Sequence, residues 1–169
     1  MSDFLDEIEA AVPALRRYAR ALTRNPDRAD DLVQDCLERA IRKRGLFRPT
    51  GPLQAWLFRM LVNLWRNSLR SERRRGEHVA YDALVVEPSI PAPQHGRLAL
   101  GEMNRALDRL PDDQRETLLL VVLEGVSYEE AATILGIPIG TVMSRLSRAR
   151  AALRTLTGTG DEPRLRTVK

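Results

Sequence analysis

Two stretches of this chain concentrate guanidinium groups. Between Leu53 and Arg75 lie Arg59, Arg66, Arg70, Arg73, Arg74 and Arg75 against a single acid, Glu72; between Ala131 and Gly160 lie Arg145, Arg148, Arg150 and Arg154 against none. Arginine forks bidentately to phosphate oxygens and to guanine O6 and N7, so such a stretch can hold a polyanion. Two separated patches imply two contacts with it. The total charge is a weaker signal, because 27 Lys+Arg against 23 Asp+Glu leave only +4.

Other chemistries find little support. Cys36 is the single cysteine and can form no internal disulfide, and His78 and His95 are too isolated to build a metal cluster with it. Structural zinc and cysteine-histidine catalysis are therefore not expected, and no cofactor is called for. Asp30 with Asp31 and Asp112 with Asp113 are adjacent carboxylates, but neighbouring helical residues point about 100° apart and do not converge on one metal. A nucleic-acid enzyme would need that convergence. Cys36 reads as a small buried apolar residue, since nothing cationic on its stripe would lower its pKa. The longest apolar run, Leu118 to Leu123, is far short of the roughly 20 residues of a membrane span, and the N-terminus is acidic where a signal peptide is basic. A cytoplasmic protein with no membrane insertion is expected.

The elements that must position the arginines are helices. Apolar residues recur at helical spacing, as in Leu32, Val33, Cys36, Leu37, Ala40, Ile41 and again in Met103, Ala106, Leu107, Leu110, and strand signals are nearly absent. The fold class is all-α. A first helix spans about Phe4 to Leu22 and is broken by the Asn25-Pro26 turn signal; a second runs from about Arg28 to Arg44. A third runs from about Leu53 to Arg74, with Trp56, Met60, Leu61 and Leu64 as its apolar stripe and its cationic end suited to the helix dipole. From Gly76 to about Gly96 the period lapses and Pro88, Pro91 and Pro93 crowd together, the composition of a linker. The chain thus divides into a helical domain at 1–75, a flexible linker at 76–100, a second helical domain at 101–157 and a frayed tail at 158–169.

In the second domain, Ser127-Tyr-Glu-Glu130 is a capping-box pattern that starts a helix, Gly136 permits a sharp turn, and Pro138 marks entry to the next helix. On that last helix Val142, Leu146, Ala149 and Leu153 fall within about 40° of one another as a core stripe. Thr141, Ser144, Arg145 and Arg148 share another face, which can meet base edges and phosphates, while Thr141 and the N–H groups near Gly140 suit a phosphate at the helix N-terminus. Cap, turn and basic second helix in this order describe a DNA-binding helix-turn-helix.

At this level of detail the chain resembles a known family. Gly140-Thr-Val-Met-Ser-Arg-Leu-Ser-Arg-Ala-Arg150, preceded by Leu110-Pro111 and Ser127-Tyr-Glu-Glu-Ala-Ala, resembles domain 4 of extracytoplasmic-function sigma factors. Ala29-Asp-Asp-Leu-Val-Gln-Asp35 resembles the polymerase-binding helix of their domain 2, and Ala55-Trp-Leu-Phe-Arg-Met-Leu-Val-Asn63 their promoter-melting helix. The resemblance implies a protein that binds core RNA polymerase, directs it to promoter DNA and helps open the minus-10 region, with an anti-sigma factor as a further partner. It places the polymerase contact on Asp31, Gln34 and Asp35, and Glu38 shares their polar side as a hydrogen-bond acceptor. It places Asn63 near the minus-10 bases, with Arg59, Arg66 and Arg70 along the strand's phosphates, and gives Gly140, Thr141, Ser144, Arg145 and Arg148 to the minus-35 element. Melting draws its energy from binding, so no catalytic residue is needed. Trp56, on the apolar stripe, reads as core; Trp65 reads equally as core or as a stacking platform.

The sequence departs from the family at Met143, where a Lys is common, and at Pro138, where a Ser or similar cap is common. The first removes a phosphate contact and the second leaves the recognition helix without a side-chain cap. The loop Arg48-Pro-Thr-Gly-Pro52 is proline-rich, so base preference is not carried across it. A competing reading is a helix-turn-helix repressor or activator, which would dimerise on a two-fold operator. Against it, the first domain carries a basic helix and an acidic helix where a ligand or dimerisation domain would stand.

Overall fold

The computed structural model describes residues 2–48, 51–76 and 94–158, and every regular element among them is helical. The first module holds α1 (Ser2–Thr23), α2 (Pro26–Arg42), a short 3₁₀ turn (Arg44–Leu46) and α3 (Leu53–Arg75). The second holds α4 (Gln94–Asp108), α5 (Asp112–Leu118), which continues as a π-helical turn over Leu119–Leu123, then α6 (Tyr128–Leu135) and α7 (Ile139–Leu156). The expected all-α architecture is what folds. The proline cluster and His78 lie outside the described residues, as does the tail from residue 159, and α4 begins at Gln94, inside the stretch expected as linker.

Helix boundaries follow local chemistry. Asn25-Pro26 does not merely break a helix: the Asn25 side chain accepts from the N–H groups of Asp27 and Arg28, and Pro26 occupies the first turn of α2, where a missing N–H costs nothing. The capping box at α6 is complete. Ser127 Oγ accepts from the Glu130 N–H at 3.1 Å, and the Glu130 carboxylate accepts from the Ser127 N–H at 3.1 Å. Gly136 ends α6 at φ 65°, a left-handed conformation that a Cβ would strain. As expected, α7 starts behind Pro138 with no side-chain cap.

Two apolar clusters hold these helices. The smaller joins Leu110, Leu118, Ala131, Val142, Leu146 and Ala149, and it buries the α7 stripe read from the sequence, with Leu153 half-buried at its edge. The larger is built by α1, α2 and α3 around Leu15, Tyr18, Leu22, Cys36, Leu57 and Trp65, but it also takes in Leu119, Leu120, Ile134 and Leu135 of the second module. The two modules therefore share one core.

That sharing changes the face of α3. The stripe Trp56, Met60, Leu61, Leu64 is only partly right: Leu61 is buried, whereas Trp56, Met60 and Leu64 are half-buried, and the inward face is Leu53, Leu57, Phe58, Leu61, Val62, Trp65 and Leu69. Trp65 is 1% exposed and is core, with the Arg28 guanidinium 5.5 Å from its ring centroid. Trp56 instead sits at the edge of the cluster, its ring centroid 5.3 Å from that of Phe47. The expectation for Trp56 is thus corrected, and Trp65 is settled as core. Both follow from α3 being covered on more than one side.

Candidate nucleic-acid interface

The polar face of α2 is built as the sequence suggested. Leu32, Val33 and Cys36 point into the core, and the 3.6-residue period turns Asp31, Gln34, Asp35 and Glu38 outward, all exposed, with Gln34 Nε2 donating to Glu38 Oε1 at 3.2 Å. The Cys36 thiol is fully buried, donates to the Leu57 carbonyl at 3.4 Å, and is pushed by burial up to about 12. It is inert packing, with no reactive thiolate near neutral pH.

On α3, Arg59, Asn63, Arg66 and Arg70 recur at intervals of four, three and four residues and so form one ridge. Arg59, Asn63 and Arg70 are exposed. Arg59 also lines a cleft of about 370 Å³ whose far wall is Glu129, Thr133 and Ile134 of α6. Arg66 departs from the expectation. Its Nη2 donates to Glu116 Oε1 at 2.5 Å, its Nε lies 3.2 Å from both Glu116 oxygens, and its Nη1 donates to the Leu135 carbonyl at 3.0 Å. In this arrangement each guanidinium nitrogen meets an acceptor of the second module.

On α7, Gly140 and Arg148 are exposed, while Thr141, Ser144 and Arg145 are half-buried. Ser144 Oγ donates back to the Thr141 carbonyl at 3.1 Å. Arg145, expected on an open surface, is 19% exposed, with Nε 3.5 Å from Asp113 Oδ2 and Nη1 3.6 Å from Glu116 Oε1, ion-pair distances too long for good hydrogen bonds. The fully open side of α7 carries Gly140, Met143, Ser147, Arg148, Ala151 and Arg154. The basic helix is real; its arginines are not equally free.

The residue that sequence reasoning missed is Glu116. Its side chain is 4% exposed, it meets Arg66 from α3 and Arg145 from α7, and burial pushes its carboxyl up from the ordinary range while the two guanidinium groups pull it back. Its main-chain carbonyl accepts from Tyr18 Oη at 2.9 Å. Asp112 and Asp113, rejected as a metal pair, do diverge: Asp112 turns to Arg73 at 2.8 Å and to Arg115 at 2.9 Å, Asp113 to Arg145. Nothing in the local pattern around Glu116 marks it, because its partners lie 50 residues before it and 29 after. A basic ridge on α3 and the α6–α7 helix-turn-helix are brought together here at Glu116.

This organisation has relatives. The family model described as "Sigma2 domain of PhyR" matches residues 8–62, and that described as "Sigma-70, region 4" matches residues 100–153. The ECF RNA polymerase sigma factor EcfG of Rhodopseudomonas palustris is 47% identical over 151 residues, 89% of this chain and 83% of that protein. The ECF RNA polymerase sigma factor SigM of Mycobacterium tuberculosis is 37% identical over 144 residues, 85% of this chain and 71% of that one. Among solved structures, the sigma factor RpoE of Bartonella quintana, in complex with the anti-sigma factor NepR, superposes with a TM-score of 0.78 at 39% identity, covering 95% of this chain and 100% of that one. Sequence, order of domains and fold agree, and the chain belongs to the extracytoplasmic-function sigma factors of RNA polymerase.

Proposed function

We propose that this sigma factor docks on core RNA polymerase through Asp31, Gln34, Asp35 and Glu38 of α2. In the same reading, Arg59, Asn63, Arg66 and Arg70 of α3 serve the minus-10 element, and Gly140, Thr141, Ser144, Arg145 and Arg148 of α7 serve the minus-35 element. The observation that carries the polymerase assignment is that the four α2 side chains are exposed on a helix whose opposite face buries Ala29, Leu32, Val33, Cys36 and Ala40. Carboxylates and amides so placed offer acceptors to a basic partner surface at no folding cost.

The protein acts by binding alone, in the cytoplasm where polymerase and promoter meet, and needs no cofactor. No helix among the described residues is long and apolar enough to cross a membrane. An anti-sigma factor is a fitting further partner, supported by the likeness to a sigma factor solved with one bound. We take the domains as 1–75 and 101–157, a division supported by separate family matches over 8–62 and 100–153.

The decisive assay is transcription by purified core polymerase on a library of promoter fragments with this chain as the added subunit. Initiation at a shared pair of sequence elements is expected. Absence of specific initiation would overturn the reading.

A further inference from the structure

The outward crest of α7 carries no charge. Counted at about 100° per residue, Gly140, Ser147 and Ala151 fall within about 40° of one another, opposite the buried line of Val142, Leu146 and Ala149, and all three are exposed. Arg148 stands on one flank of this crest and Arg150 on the other, both exposed, whereas Arg145 is drawn off it toward Asp113 and Glu116. Met143, 49% exposed on the Arg150 side, is the long uncharged side chain nearest the crest. Single exposed apolar residues are ordinary on a protein surface, so exposure alone gives Met143 no role.

Gly140 supplies a second observation. Its φ is not among the positive ones, and a Cβ built on it would meet nothing within 4 Å, so neither turn geometry nor packing requires a glycine there. Glycine also weakens a helix relative to alanine. A residue that costs helix stability and answers no need inside the fold leaves room for something outside it.

We infer that Met143 reads a base of the minus-35 element, its thioether end resting on the C5 methyl of a thymine, while Gly140 lets the start of α7 come close to the DNA. The major groove of B-DNA, about 12 Å wide, admits a helix, and the thymine methyl is the apolar group that base edges show there. Methionine has no hydrogen to donate and accepts only weakly, so that methyl is the feature it can discriminate, and its flexible, polarizable end adapts to it. The uncharged crest allows the helix to sit deep, and the flanking Arg148 and Arg150 reach phosphates on the two sides of the groove. This inference deepens the minus-35 assignment of α7 made above and rests on it.

The test uses holoenzyme assembled from core polymerase and the full chain, on the minus-35 element that the promoter library returns. Replacing each thymine of that element in turn, on either strand, by deoxyuridine removes the C5 methyl and nothing else. At one thymine the replacement is expected to weaken promoter binding by the native chain about fourfold, the size expected for one methyl-sized burial. With Met143→Ala the same replacement should cost nothing, and the denaturation midpoint should stay where it is. Gly140→Ala should hold or raise the midpoint and still weaken promoter binding severalfold, a combination that a purely structural role does not produce. Equal deoxyuridine costs in the native chain and Met143→Ala, no thymine at which the methyl matters, or a minus-35 element without an A·T pair would each overturn the reading of Met143. Undiminished binding by Gly140→Ala would overturn the close approach. Failure of the minus-35 assignment itself looks different: the native chain would show no upstream sequence preference, and Arg148→Ala would bind promoters as well as the native chain does.

Discussion

The Arg66 guanidinium of α3 forks onto the Glu116 carboxylate of α5, with Nη2 and Oε1 2.5 Å apart. Glu116 is 4% exposed at its side chain, so the pair is largely shielded from water and removing one partner strands a charge. Glu116→Ala should therefore cost about 3–5 kcal/mol of unfolding free energy, a range that belongs to breaking buried pairs rather than surface ones. In a double-mutant cycle with Arg66→Ala, urea denaturation should return a coupling of about 0.5–3 kcal/mol. Additive losses would mean that the two groups do not meet in solution.

The helix-turn-helix depends on few apolar residues. Leu146 is 1% exposed and packs with Leu110, Leu118, Ala131, Val142 and Ala149. Leu146→Ala should lose about 2–5 kcal/mol, from the transfer of its side chain and the cavity left behind. Thermal or urea unfolding followed by circular dichroism reads the loss directly, and a change below about 1 kcal/mol would show that this small core repacks freely.

Alkaline pH should weaken the fold. Burial pushes the Cys36 thiol up to about 12 and holds the Tyr18 phenol well above its ordinary value, with the Glu116 charge adding to the Tyr18 effect. Both groups stay protonated in the native chain at pH values where the unfolded chain ionises. Their contribution is therefore complete below the ordinary thiol range near pH 9 and declines as pH rises toward 12, by up to about 1.4 kcal/mol per pH unit for each group. Unfolding free energies measured from pH 8 to pH 11 should fall, and should fall less in Cys36→Ala. A flat profile would contradict the burial of these two groups.

Changing Asp31 and Gln34 together to Ala should reduce co-purification with core polymerase by at least about tenfold, equivalent to about 1.4 kcal/mol, without moving the denaturation midpoint. Both side chains are exposed on α2, so nothing in the core responds to their loss. Retained association would remove this face from the polymerase contact.

Arg70→Ala should weaken promoter binding of the polymerase complex uniformly across sequences and lower the slope of log affinity against log salt by about 1, the signature of one phosphate contact. Arg70 is exposed on α3. A slope that does not move would exclude it from the strand path.

Much of the fold was legible because its signals are local. The Ser127 capping box, the Gly136 turn and the Val142, Leu146, Ala149 stripe each depend on residues within a few positions of one another, and each took the form that its spacing dictates. The outward face of α2 followed from the same periodicity. The α3 stripe was misjudged for a reason of the same kind. A helical period identifies one apolar face, whereas α3 packs against its own module and against Ile134 and Leu135 of the other, so Trp65 is buried and Trp56 is displaced to the edge.

What the sequence determined by itself is therefore the helices, their caps, the two-module order and the supply of arginines, all consequences of 3.6-residue periodicity and of charge counted along the chain. Only the tertiary structure decided where those arginines go. Arg66 and Arg145 are 79 positions apart, and their meeting at Glu116 depends on two modules sharing a core; no interval of helical spacing encodes an ion pair across such a distance.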